Sequence, residues 1–167
     1  TGMHYSKKKM PSQFLHLLLF FLLLLELSFS LNQDGLFLLQ VKLSLSDPTS
    51  SLSSWNSRDQ TPCSWSGITC HPSTHDVVSV NLSSSNLWGP FPPFLCRLPN
   101  LTSISLDDNF INSSLLPSLF SSRERPCPKL EYLNLTWNLL VGPLPDTLTE
   151  LPSLRVLDLS YNNFSGP

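Results

Sequence analysis

The chain has 167 residues, 41% of them hydrophobic and 13% charged, which suits a small extracellular module. Its net charge of −2, with both signs mixed, argues against nucleic acid and against an anionic membrane as partners. Four cysteines in a secreted chain should be oxidised.

The first thirty residues read as a secretory signal peptide. Lys7, Lys8 and Lys9 precede an unbroken apolar run from Leu17 to Leu25, and Ser28-Phe29-Ser30 places small residues before a cut at Leu31. The run is short of the roughly 20 residues that span a bilayer, and no later segment is longer. Thr1-Gly2 ahead of Met3 suggest a translated stretch upstream of the true start.

Residues 31–76 read as an N-terminal cap. Asn32 can cap a helix with Leu36, Leu39 and Leu43 on one face that stops at Asp47-Pro48, and a second short turn through Leu52 ends near Trp55. Cys63 and Cys70 enclose six residues and are expected to pair, a bridge worth roughly 2.5 kcal/mol by chain entropy. With His71 and His75 they offer a zinc-like donor set, but the spacing does not match the common C-x₂₋₄-C knuckle and secretion favours the disulfide. No metal or cofactor is expected. Trp55 and Trp65 are expected in the cap core.

From residue 77 to 167 one pattern recurs. Val77, Val80 and Leu82; Leu101, Ile104 and Leu106; Leu130, Leu133 and Leu135; and Leu154, Leu157 and Leu159 share one spacing, with starts 24, 29 and 24 residues apart. Each L-x-L core should be a short strand whose alternate side chains, Val80 and Leu82 and their counterparts, point inward. Burying one is worth roughly 1.5–3 kcal/mol, yet a single turn closes no core and depends on stacking. Asn109, Asn138 and Asn162 follow three residues later, where an amide can pair with backbone left open at the bend. Ser85 holds that place in the first turn and predicts a weaker ladder there.

Gly89-Pro90-Phe91-Pro92, Gly142-Pro143-Leu144-Pro145 and Gly166-Pro167 should keep the second half of each turn extended or irregular and not α-helical. The second turn departs from this between Ser114 and Lys129, where five extra residues must bulge and the register is open. Cys96 and Cys127 lie at the back of successive turns and could meet, with the insertion leaving that pairing open. The chain breaks off in its fourth turn, about 3.5 turns in all, so it reads as a fragment in which Leu154, Leu157 and Leu159 face an uncovered edge.

These features are the leucine-rich repeat pattern: a solenoid with short parallel strands on its concave face, an irregular or 3-10 back and a helical, disulfide-bonded cap. The x-G-x-x-P form is that of plant repeats. Leu31-Asn32-Gln33-Asp34-Gly35, residues 40–48, Ser54-Trp55-Asn56 and Thr61 through Cys70 resemble the cap of plant leucine-rich repeat receptor-like kinases. Gly89 to Pro92, Leu95 to Leu101 and Gly142 to Leu148 resemble the first turns of the HAESA type.

The resemblance implies an extracellular segment of a receptor Ser/Thr kinase at the plasma membrane. Its concave face would hold a secreted peptide hormone and it would recruit a co-receptor kinase, while the span and kinase lie outside this chain. The outward strand positions that would line that face are Ser79, Asn81, Ser83, Ser103, Ser105, Asp107, Tyr132, Asn134, Thr136, Val156, Asp158 and Ser160, with Trp137 at a strand exit. Asp107 and Asp158 could receive a basic group, Tyr132 could pack the peptide and Trp137 could anchor it. Asn81, Asn100, Asn112, Asn134 and Asn163 begin N-x-[ST] sequons, with Asn112 expected on an exposed loop. A glycan on Asn81 or Asn134 would obstruct the concave face. No nucleophile elbow, zincin motif or phosphate loop is present, so these residues are not expected to form an enzyme. The rival reading is a secreted kinase-free solenoid, polygalacturonase-inhibitor-like, or a receptor-like protein with a span and no kinase.

Overall fold

The computed structural model describes residues 11–13, 16–20, 30–115 and 127–166. The chain divides into two units, Thr1–Ser30 and Leu31–Pro167. In the first, residues 16–20 are helical and exposed. Among the described residues no helix is long and apolar enough to cross a membrane. Lys7, Lys8 and Lys9 and residues 21–29, on which the leader reading draws, lie outside the described residues.

The second unit opens with helix α1, Gln33–Ser44. Asn32 Oδ1 accepts the Gly35 N–H at 2.9 Å, which satisfies one of the donors a helix start leaves open. Leu36, Leu39 and Leu43 share a face that is largely outward: Leu36 is 47% exposed and Leu43 77%, while Leu39 packs partly against the core. The buried stripe is Asp34, Gly35, Leu38 and Val41. Two leucine spacings compete on this helix. The core takes the one that carries Asp34 to the first repeat, where its Oδ2 accepts the buried Val77 N–H at 2.8 Å.

Below α1 the cap is built from contacts that each occur once. Lys42 Nζ donates to the carbonyls of Leu52 and Trp55 at 2.7 and 3.0 Å, and the Asp47 carboxylate accepts the N–H groups of Ser51 and Leu52 at 2.9 and 2.8 Å. Trp55 and Trp65 are buried and stacked, their centroids 5.5 Å apart. Each indole N–H finds a partner, the Ser66 carbonyl for Trp55 and Asp59 Oδ2 for Trp65. Cys63 and Cys70 form a disulfide that ties the 3-10 turn Pro62–Ser64 to strand β1, Ile68–Cys70.

Strands β2 (Val77–Asn81), β4 (Ser103–Ser105), β6 (Tyr132–Asn134) and β8 (Val156–Asp158) are parallel neighbours, and β1 adds antiparallel to β2. The cap strand thus covers an edge that would otherwise be unpaired. Gly67, just before β1, has φ +77°, and a Cβ there would fall 2.2 Å from the Asn81 carbonyl oxygen. Val80, Ile104, Leu133 and Leu157 lie in register, so the longer second turn leaves the ladder intact. Residues 116–126 of that insertion lie outside the described residues. On its far side Cys127 is buried, bonded to Cys96 through sulfur and to the Cys96 carbonyl through its N–H at 3.0 Å.

The back of the solenoid has the extended and 3-10 backbone that the sequence pattern implies. It holds the expected 3-10 turns at Pro93–Arg97 and Asp146–Glu150. The stretch after each ladder position is extended, and beyond the sequence expectation these stretches pair into a second parallel sheet of β3 (Trp88–Pro90), β5 (Phe110–Ser113), β7 (Leu139–Gly142) and β9 (Asn163–Phe164). Pro90 and Gly142 end their strands, so the breakers act after the ladder has formed. The first edge of this sheet is also closed by the cap: Ser46 and Trp88 exchange backbone hydrogen bonds of 2.8 and 3.0 Å.

Leu101, Ile104, Leu106, Leu130, Leu133 and Leu135 have no exposed surface, whereas Leu157 in the last turn is 41% exposed. Between the two sheets runs an asparagine ladder. Asn138 Oδ1 accepts the Ile111 N–H at 2.8 Å, and its Nδ2 reaches the carbonyls of Leu106 and Leu135 at 2.9 and 3.0 Å. Asn109 likewise accepts from Ser85 and Leu87 and donates to Leu82 and Leu106. Asn162 repeats this with Leu140, Leu135 and Leu159. Each amide bridges its own turn to the preceding one. Ser85 Oγ reaches only the Ser83 carbonyl, at 3.2 Å, within its own turn.

Candidate functional site

Because Val80, Ile104, Leu133 and Leu157 point inward, their neighbours must point out, and the strand register stacks them in columns. Ser79, Ser103, Tyr132 and Val156 form one column, and Asn81, Ser105, Asn134 and Asp158 a second. Ser83, Asp107, Thr136 and Ser160 occupy the strand exits as a third. A fourth follows: Ser84, Asp108, Trp137 and Tyr161, all at φ between 50° and 55°, each directly before the ladder position. The left-handed backbone there turns the side chain out of the sheet while the next residue enters it.

The columns change character along the solenoid. In the first two turns the polar groups engage each other. The Ser83 hydroxyl lies 2.6 Å from Asp107 Oδ1 and 2.7 Å from Asn81 Oδ1, and Ser84 Oγ donates to Asp108 Oδ2 at 2.8 Å. In the last two, Tyr132 stands beside Val156, which is 47% exposed. Trp137 and Tyr161, 58% and 66% exposed, stack with centroids 4.1 Å apart and planes 9° off parallel. Asp158 lies in the column between these two apolar walls. The Ser160 hydroxyl and backbone N–H hold its carboxyl below the usual carboxylate range, so it is ionised at neutral pH. An extended chain laid along this trough would meet aromatic surface on both sides and a fixed negative charge in the middle.

The sequence reading named Trp137 and missed Tyr161. The signal was available: both immediately precede a ladder asparagine. Asp107, named as an acceptor for a basic group, is held by Ser83 and stands in a different column from Asp158.

The sequons fall in distinct settings. Asn81 in β2 and Asn134 in β6 lie on the concave face, Asn134 directly beside Asp158. Asn100 sits at the back, where its Oδ1 accepts from Lys129 Nζ. Asn112 is not on a loop: it lies in β5, half-buried, because the second sheet extends further than the Gly/Pro pattern suggested. Asn163 is exposed in β9. The zinc-like donor set is divided, with Cys63 and Cys70 joined as a disulfide and His71 and His75 exposed.

Residues 31–71 match the leucine-rich repeat N-terminal domain and residues 99–164 the leucine-rich repeat. The chain is 60% identical over 98 residues to the receptor-like protein kinase HSL1 of Arabidopsis thaliana, covering 59% of this chain and 10% of that relative. The Arabidopsis receptor kinase HAESA, solved in complex with the peptide hormone IDA and the co-receptor SERK1, is 50% identical with a TM-score of 0.74, over 80% of this chain and 22% of that one. The Arabidopsis BIR3–SERK2 complex contains a chain 30% identical with a TM-score of 0.60, over 80% of this chain and 84% of that one. By its cap and its asparagine-laddered turns, the chain belongs to the leucine-rich repeat family, in the form found in plant receptor-kinase ectodomains of the HAESA type.

Proposed function

We propose that this chain is the N-terminal part of the extracellular, peptide-recognising solenoid of a plant receptor-like Ser/Thr kinase, reached through the secretory pathway by a leader in residues 1–30. The kinase and the membrane span lie outside these residues, which carry recognition and no catalysis. The observation that bears most weight is the half-identity to a receptor solved with a secreted peptide and a co-receptor. The trough of Tyr132, Trp137, Val156, Asp158 and Tyr161 supports it physically, since an extended peptide can bury its side chains against stacked aromatics and place a basic group on Asp158. Ser103, Ser105, Thr136 and Ser160 border that trough and supply hydrogen-bonding groups.

The test is calorimetry on the complete secreted ectodomain with synthetic IDA peptide. Tyr132→Ala and Asp158→Asn should each weaken binding about tenfold, the loss that defines an energetic contact. Binding unaffected by either would confine recognition to later turns. No peptide binding, with a reading frame that stops soon after residue 167, would leave a secreted kinase-free solenoid.

A further inference from the structure

The outer face of the second sheet is apolar. Trp88 in β3 is 45% exposed and stacks on Phe110 of β5, centroids 4.5 Å apart, and Leu139 and Val141 of β7 are 46% and 40% exposed. Partly exposed apolar side chains on three neighbouring strands of a secreted protein call for a cover. Two sequon asparagines border this strip. Asn112 is the register partner of Leu139, and Asn163 of Val141.

Alternation along β5 sends Ile111 into the core and leaves Phe110 and Asn112 on one face. The ring therefore sits two residues ahead of the glycan attachment atom, on the side from which a glycan must leave. By contrast Asn81 accepts from the Ser83 hydroxyl and lies in register with Ser105.

We propose that Asn112 carries an N-linked glycan whose first sugar packs on the Trp88–Phe110 pair and Leu139, so that the chain's own glycan covers the strip. A pyranose ring presents polarised C–H groups on its flat face, and these are attracted to the negative face of an aromatic ring. The remaining sugars are bulky and hydrated, and they turn an apolar face into a soluble one. The proposal rests on the secretory reading.

The experiment uses the chain secreted from plant cells. Glycopeptide mapping should find Asn112 occupied. Hydroxyl-radical labelling should find Trp88 protected relative to Ser114→Ala and to Asn112→Gln, both of which abolish the sequon, with Trp137 labelled alike in all three as the internal control. Loss of the glycan should also lower Tm by about 2–4 °C. A bare Asn112 with other sequons occupied overturns this proposal alone; a chain with no glycan anywhere overturns the secretory reading with it. Equal labelling of Trp88 with and without a glycan on Asn112 also overturns the proposal, and leaves the strip to a second copy of the chain or another protein.

Discussion

In the cap, every buried polar contact occurs once: Asp34 to Val77, Lys42 to two carbonyls, each tryptophan to its own acceptor. In the repeats a single contact recurs, with Asn109, Asn138 and Asn162 making nearly the same bonds one turn apart. The two regions face the same problem of pairing the backbone that strands and bends leave open. The cap does it with irregular parts fitted to one place, whereas the array does it by stacking identical parts. Damage should therefore be idiosyncratic in the cap and graded by depth in the array.

The largest expected effect is in the cap. Trp55→Ala removes a buried ring, its stacking partner's contact and its bond to Ser66, and should cost about 3–5 kcal/mol in chemical denaturation. In the array, Asn138→Ala leaves the buried Ile111 N–H unpaired and takes one of two amide donors from each of the Leu106 and Leu135 carbonyls, which keep Asn109 and Asn162, and should cost about 2–3 kcal/mol. Asn109→Ala should match it. Asn162→Ala, half-buried in the last turn, should cost about 1 kcal/mol. If Asn109→Ala and Asn138→Ala differ as widely as two cap variants do, the contrast between the regions fails.

Removing the Cys63–Cys70 bridge with paired serines should cost about 2.5 kcal/mol. Asp34 sharpens the comparison through pH. Burial raises its carboxyl above the ordinary 3.8, opposed by the Val77 N–H and assisted by the charge of Asp76. A raised folded-state value means that folding favours the protonated form. That contribution is complete below pH 3.8 and is lost as pH rises through the folded value. Asp34→Asn keeps an acceptor for Val77 without the charge, so its stability relative to the parent chain should improve from pH 3.5 to pH 7. A constant difference across that range would contradict the assignment. The smallest effect belongs to the outer face of α1, where Leu43→Gln should stay within about 0.5 kcal/mol of the parent chain.

The concave sheet was legible because leucine spacing and asparagine position recur in phase, so errors at one turn are corrected by the next. The second sheet was legible only as extended backbone, because its strands are two to four residues long and β3 and β7 end in Pro and Gly, residues that argue against a paired strand when read locally. On α1 Leu36 and Leu43 occupy the outer face, Leu39 packs partly against the core and Leu38 is buried. The buried stripe contains Asp34 and Gly35, whose place in the core depends on Val77 and Leu31 and has no periodic signature. Of the candidate trough, Tyr132, Trp137 and Asp158 could be named from outward strand positions. Tyr161 needed the left-handed column before the ladder to be seen as a column.

Under the proposed function, the third and fourth turns of the concave face contact an extended peptide, and this contact can be measured. It is tested most directly by hydroxyl-radical footprinting of the complete ectodomain with and without saturating synthetic IDA peptide. Reduced labelling of Tyr132, Trp137 and Tyr161 is expected, with Trp88 on the outer sheet unchanged. Saturated binding with all four residues labelled as in the free protein would contradict it, and would make these turns a spacer between the cap and a site further along the solenoid.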